Sequence, residues 1–141
     1  MKLKVLVILF GLITMASSPG FASDIIISDA WIRAMPQTSN VLACYLRINN
    51  RSTQSVYLES ITSDDFGSVE IHSTKMRDGM VHMGTQNGLR INAGTIITLQ
   101  PGGLHLMLID GKRALHAGDA VLLKMHFSDG ETIEANAEVR K

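Results

Sequence analysis

After residue 23 the chain carries no helical period. Short runs rich in Val, Ile, Thr and Leu recur instead about every ten residues, with Asn, Asp or Gly between them. That is the spacing of strands joined by turns that tolerate positive φ. The runs open at Asp24, Val41, Ser55, Ser68, Met80, Thr95, Leu104, Ala120 and Thr132. Turn signals fall at Asn49-Asn50-Arg51-Ser52, Arg77-Asp78-Gly79, Asn87-Gly88, Pro101-Gly102-Gly103, Asp110-Gly111 and Asp129-Gly130. No repeat or linker interrupts the series, and 141 residues suit one domain better than two. The expected fold class is all-β, a sandwich or barrel of about eight to nine strands.

The first residues stand apart from that pattern. Lys2 and Lys4 form a positive start, Val5 to Met15 an apolar stretch, and Gly20 and Ala22 a small-residue exit. This is the layout of a cleaved signal peptide over 1–22, with Ser23 opening the mature domain 23–141. A spanning helix needs roughly 20 apolar residues, and Pro19-Gly20 ends this one sooner. The mature chain is therefore expected to be periplasmic and not inserted in a membrane. Lys plus Arg and Asp plus Glu stand at 13 each, so losing Lys2 and Lys4 leaves a net charge of minus two. That balance argues against a nucleic-acid partner. Export would permit disulfides, but Cys44 is the one cysteine, and it shares parity with Leu42, Leu46 and Ile48. It is expected to be a buried small hydrophobe.

Strand parity marks where chemistry could sit. In "AVLLKMHF" Val121, Leu123, Met125 and Phe127 share one face, which assigns Met125 to the core and His126 to solvent. In "LHLMLI" the leucines at 104, 106 and 108 share a face, leaving His105 and Met107 together on the other. Upstream, His72 lies opposite Val69 and Ile71, and Met83 follows across the Asp78-Gly79 turn. Two imidazoles and two thioethers then become available to one ion. Thioether sulfur is soft and neutral, so the set suits Cu(I) and disfavours Mg, Ca or Mn. An electron-transfer copper site would need a Cys thiolate, which Cys44 is badly placed to give. A set with neither thiolate nor carboxylate would leave the bound ion its positive charge. Met76, Met80 and His82 adjoin Met83 and could replace or supplement these ligands. His116 is expected in a solvated loop and Met35 in an extended one.

At these residues the sequence resembles the periplasmic PCu(A)C copper chaperones, whose pattern is His, ten residues, Met, twenty-one residues, His-x-Met. His72, Met83, His105 and Met107 match it without a gap. The flanks "AWIRAMP", "ACYLRINN", "DGMVHM", "PGGLHLML" and "ALHAGDAVLLKMHFSDG" are similar too, so the likeness covers nearly the whole mature chain. It implies a cupredoxin-like Greek-key β-sandwich or barrel holding one Cu(I) per chain at an exposed end. It further implies delivery of copper to respiratory cytochrome oxidase assembly, a CuA-type centre on a membrane-bound oxidase subunit, sometimes beside a Sco-type partner. Two features depart from the family: Ser73 stands where a Met often follows the first His, and the chain ends "EANAEVRK" rather than in a His- and Met-rich tail.

The expected protein is thus a monomeric copper chaperone and not an enzyme, since no nucleophile is paired with a base. Copper buffering for tolerance is the rival that shares the site. An exported protein-binding sandwich is the rival that does not.

Overall fold

A computed structural model describes residues 23–141, so the proposed signal peptide lies outside the described residues. Ten strands form the molecule: β1 (Ile25–Arg33), β2 (Val41–Asn50), β3 (Val56–Thr62), β4 (Phe66–Arg77), β5 (Met80–Gln86), β6 (Leu89–Ile91), β7 (Ile96–Leu99), β8 (Leu104–Gly111), β9 (Ala120–Phe127) and β10 (Thr132–Arg140). The expected all-β class holds. The additional strand is β6, three residues too short to show an alternation, paired with β3 through Val56–Ile91 and Leu58–Leu89.

Seven strands run in the order β4-β8-β2-β1-β10-β9-β3, and β3 returns to β4 to close a barrel. All neighbours are antiparallel except β1 and β10, which lie parallel through Trp31–Glu138 and Arg33–Arg140. The closing contact is narrow, a single rung of Ile61 opposite Val69. β5, β6 and β7 are appended to β4, β3 and β2. Closure removes most free edges, which are otherwise sites for unwanted pairing.

The barrel is filled as the alternation requires. Cys44, Leu46 and Ile48 point inward from β2, Leu106 and Leu108 from β8, and Val121, Leu123, Met125 and Phe127 from β9, all essentially buried. Leu104 is only half-buried, because it sits at the mouth where β8 leaves the Pro101-Gly102-Gly103 turn. β1 breaks the simple rule. Ile25 and Ile32 are both buried although seven residues apart, which an unbroken strand would place on opposite faces. A bulge resolves this: the register against β2 shifts between Ser28 and Trp31, and Asp29 adopts φ 52°. The shift turns Trp31 outward, beside Tyr45.

Beyond the barrel, β4 and β5 form a hairpin. Its turn is Asp78-Gly79, with φ of 52° and 74°, closing directly on the Arg77–Met80 pair. Consecutive positive φ values are what a tight two-residue turn between twisted strands needs, and Asp and Gly tolerate them. β8 accompanies β4 only as far as Ser73–Leu104, with one further bond from Thr74 N–H to the Gly103 carbonyl. Past that point the hairpin overhangs the barrel on its own.

Candidate metal centre

His72 and His105 occupy one rung of the β4–β8 ladder. Directly opposed residues on neighbouring strands lie on the same face, so both rings project from the outer side of the barrel while Ile71 and Leu106 fill the inside. Their centroids are 5.9 Å apart with the planes tilted by 55°. Met107 lies on the same face, two residues along β8, opposite Glu70 and beside Ala43 of β2. Met83 lies on β5 opposite Thr74, which shares the parity of His72. The register therefore brings His72, His105 and Met107 together on the barrel and sets Met83 at the root of the overhang. Met83 is 57% exposed, whereas His105 is 5% exposed.

Three hydrogen bonds fix what the two rings can offer. His105 Nδ1 lies 3.0 Å from the Gly103 carbonyl. A carbonyl only accepts, so Nδ1 carries the hydrogen and Nε2 keeps the lone pair. The Pro101-Gly102-Gly103 turn thus does more than begin a strand, because it orients the imidazole two residues later. His72 is held by its other nitrogen: Nε2 lies 2.8 Å from a Glu70 carboxylate oxygen and 3.2 Å from the Thr85 hydroxyl. Its Nδ1 is buried with no hydrogen-bond partner. Buried polar atoms are normally satisfied, so this unpartnered ring nitrogen beside a second histidine is a lone pair whose chemistry suits a metal ion. With metal–nitrogen distances near 2 Å, a ring centroid lies roughly 3 Å from an ion on one of its nitrogens. Rings 5.9 Å apart can share one ion.

The sequence analysis did not single out Glu70, whose carboxylate lies within hydrogen-bond distance of His72. The omission was avoidable, since Glu70 stands two residues before His72 and shares its face. Trp31 and Tyr45 were passed over as well; their rings lie 4.7 Å apart. Register carries them onto the face that holds Met107, with Tyr45 two residues from Ala43.

The remaining candidates separate clearly. Met76 shares the parity of His72 out on the overhang and is 74% exposed. Met80 and His82 pair with Arg77 and Lys75, on the opposite parity from Met83. His116 and Met35 are exposed, as expected for loop residues. His126 differs from its expected solvated role: it is half-buried and bonded to Thr62 at 2.9 Å and Thr132 at 3.1 Å. Cys44 is buried inside the barrel, which pushes its thiol up to about 12. Among the described residues no three His, Cys, Asp or Glu side chains gather into a metal cluster.

The closed seven-strand barrel with its appended strands is the fold of PCuAC domains. The chain belongs to the LpqE-like family, described as "Putative lipoprotein LpqE-like", whose model matches residues 25–139. It is 33% identical over 119 residues to "Putative lipoprotein Lxx21020" of Leifsonia xyli subsp. xyli, covering 83% of this chain and 70% of that protein. Its structure is similar to the solution structure of Cu(I)-loaded DR1885 from Deinococcus radiodurans, with TM-score 0.66, 31% identity, and 79% and 75% of the two chains covered. The copper-bound PCuAC domain from PmoF2 has the same fold, with TM-score 0.71, 22% identity, and 84% and 93% covered.

Proposed function

We propose that this chain is a periplasmic copper chaperone that binds one Cu(I) through His72, Met83, His105 and Met107. It hands that copper to the assembly of a respiratory cytochrome oxidase. The observation that carries the reading is the His72–His105 rung, where one buried nitrogen lacks a partner and Met107 stands on the same face. The relative from Deinococcus radiodurans, described with Cu(I) bound, is 31% identical and supports it.

The donor chemistry agrees. Imidazole and thioether together prefer Cu(I) over hard cations. Thioethers also bind without losing a proton, so their contribution survives acidification of an exported compartment. An exposed Met83 is the donor that an acceptor's His or thiolate displaces first, which makes transfer a sequence of ligand exchanges rather than one dissociation. The chain performs no covalent chemistry in this role, and its thiol stays inside the barrel. The acceptor is a membrane-bound oxidase subunit, with a Sco-type protein as a further partner.

Competition for Cu(I) against a chromogenic chelator tests the site. The expected result is uptake of one equivalent per chain, lost in the Met83→Leu plus Met107→Leu double variant; unchanged uptake in that variant sinks the assignment. Deletion of the gene separates delivery from buffering. An oxidase defect repaired by added copper supports delivery, and copper sensitivity with normal oxidase refutes it. Sequencing the exported protein should begin at Ser23.

A further inference from the structure

We propose that Glu70 is a positioning residue that presents Nδ1, not Nε2, of His72 to the metal, so that the two imidazoles bind through different nitrogens. The inference rests on the Cu(I) reading of this face and goes beyond it by assigning the ligand atoms.

The argument turns on where the hydrogen of His72 can sit. Nε2 has two oxygens in range, Glu70 at 2.8 Å and Thr85 at 3.2 Å, while Nδ1 is buried without any partner. With the hydrogen on Nδ1, a buried N–H would have no acceptor, and the Nε2 lone pair would face a carboxylate. With the hydrogen on Nε2, both problems vanish and Nδ1 becomes a bare lone pair. His105 is arranged the opposite way, because its Nδ1–H is committed to the Gly103 carbonyl and Nε2 remains. Glu70 is thus a carboxylate behind a ligating histidine, and such a carboxylate fixes the ring's tautomer and orientation. The strand delivers this geometry without a loop. Glu70 and His72 are two residues apart on one face, and the β8 rungs opposite them are Met107 and His105.

The assignment also gives the carboxylate a role other than ligand. The Glu70 Oε2 that holds His72 cannot also be spent on the metal without releasing the ring.

Nitrogen-15 NMR of the histidine side chains tests the proposal on the metal-free and the Cu(I)-loaded full domain. In the metal-free protein His72 should show a protonated Nε2 with a slowly exchanging hydrogen and an unprotonated Nδ1. On loading, the Nδ1 resonance should move while the Nε2–H persists. Glu70→Ala should lose the slowly exchanging hydrogen and weaken Cu(I) binding about tenfold to a hundredfold. Glu70→Gln, which keeps a carbonyl acceptor, should restore most of both; methyl spectra of the barrel check that each variant is folded. A copper-bound Nε2 on His72, a direct Glu70–copper bond, or a Glu70→Ala variant with unchanged affinity overturns the proposal. Failure of the parent reading looks different: His72→Ala and His105→Ala would both leave Cu(I) uptake intact, whereas the metal-free measurement still reports which nitrogen Glu70 holds.

Discussion

The barrel's one sulfhydryl can be challenged with a chromogenic disulfide reagent at pH 8, and the size of the effect follows from its burial. Cys44 has no exposed surface, and burial raises its pKa to about 12. At pH 8 that leaves about one thiol in 10,000 ionised, against about a quarter for an unfolded cysteine with a pKa near 8.5. Since only thiolate attacks disulfide, ionisation alone slows the native reaction about 2000-fold. Exclusion of the reagent by the surrounding core slows it further. The remaining route is opening of the barrel; at a stability of about 5 kcal/mol, the low end for a domain, roughly one molecule in 5000 is open. Labelling in buffer should therefore run at least about a thousand times slower than in denaturant, and should accelerate as denaturant is added. Native labelling within tenfold of the denatured rate would refute the claim that Cys44 is a core residue. Cu(I) uptake should also be unchanged in Cys44→Ala, because the thiol points into the core, away from the outer face that carries His72, His105 and Met107.

Three further outcomes follow from the barrel itself. Leu106→Ala removes a fully buried side chain directly behind the histidine rung and should lower unfolding free energy by about 2–5 kcal/mol in urea titration. Gly88→Ala should cost about 2 kcal/mol or more, since φ is +84° and a Cβ would lie 2.5 Å from the Tyr57 ring; Gly84→Ala, with nothing within 4 Å, should stay within about 0.5 kcal/mol of wild type. The hydrogen-bonded Arg113 guanidinium holds the Asp65 carboxyl below its ordinary range. A depressed pKa means stability that is full above the unfolded value near 4 and fades as pH falls through the folded one. Asp65→Asn should accordingly lower the unfolding free energy from urea titration at pH 7, by under about 1 kcal/mol for so exposed a pair, and flatten the acid side of the stability profile.

What the sequence exposes is what a period of two can carry. The His105-Met107 pair, the Leu106-Leu108 core face and the interior fate of Cys44 all follow from alternation, and each is found in the structure. The Asp78-Gly79 hairpin follows from turn chemistry. What stays hidden depends on which strands meet. His72 and His105 are separated by three intervening strands, and nothing local says that β8 rather than β3 forms the long ladder with β4. The Asp29 bulge is hidden for a different reason. One extra residue reverses parity midway along β1, so straightforward alternation from Ile25 would send Trp31 into the core.

The narrowness of the β3–β4 contact has a consequence for how this molecule deforms. A closed barrel under thermal or mechanical stress widens first where fewest rungs resist, and here that place is the Ile61–Val69 rung. The strand bordering this fault line is the one that carries Glu70 and His72, yet Met107 and His105 opposite them lie on its other edge, along a ladder running from Phe66–Gly111 to Ser73–Leu104. Gaping at the seam would therefore carry β4, β5 and β8 away as one plate. The spacing of the two imidazoles is set by a rung within that plate, and it is insulated from the breathing of the core beneath it.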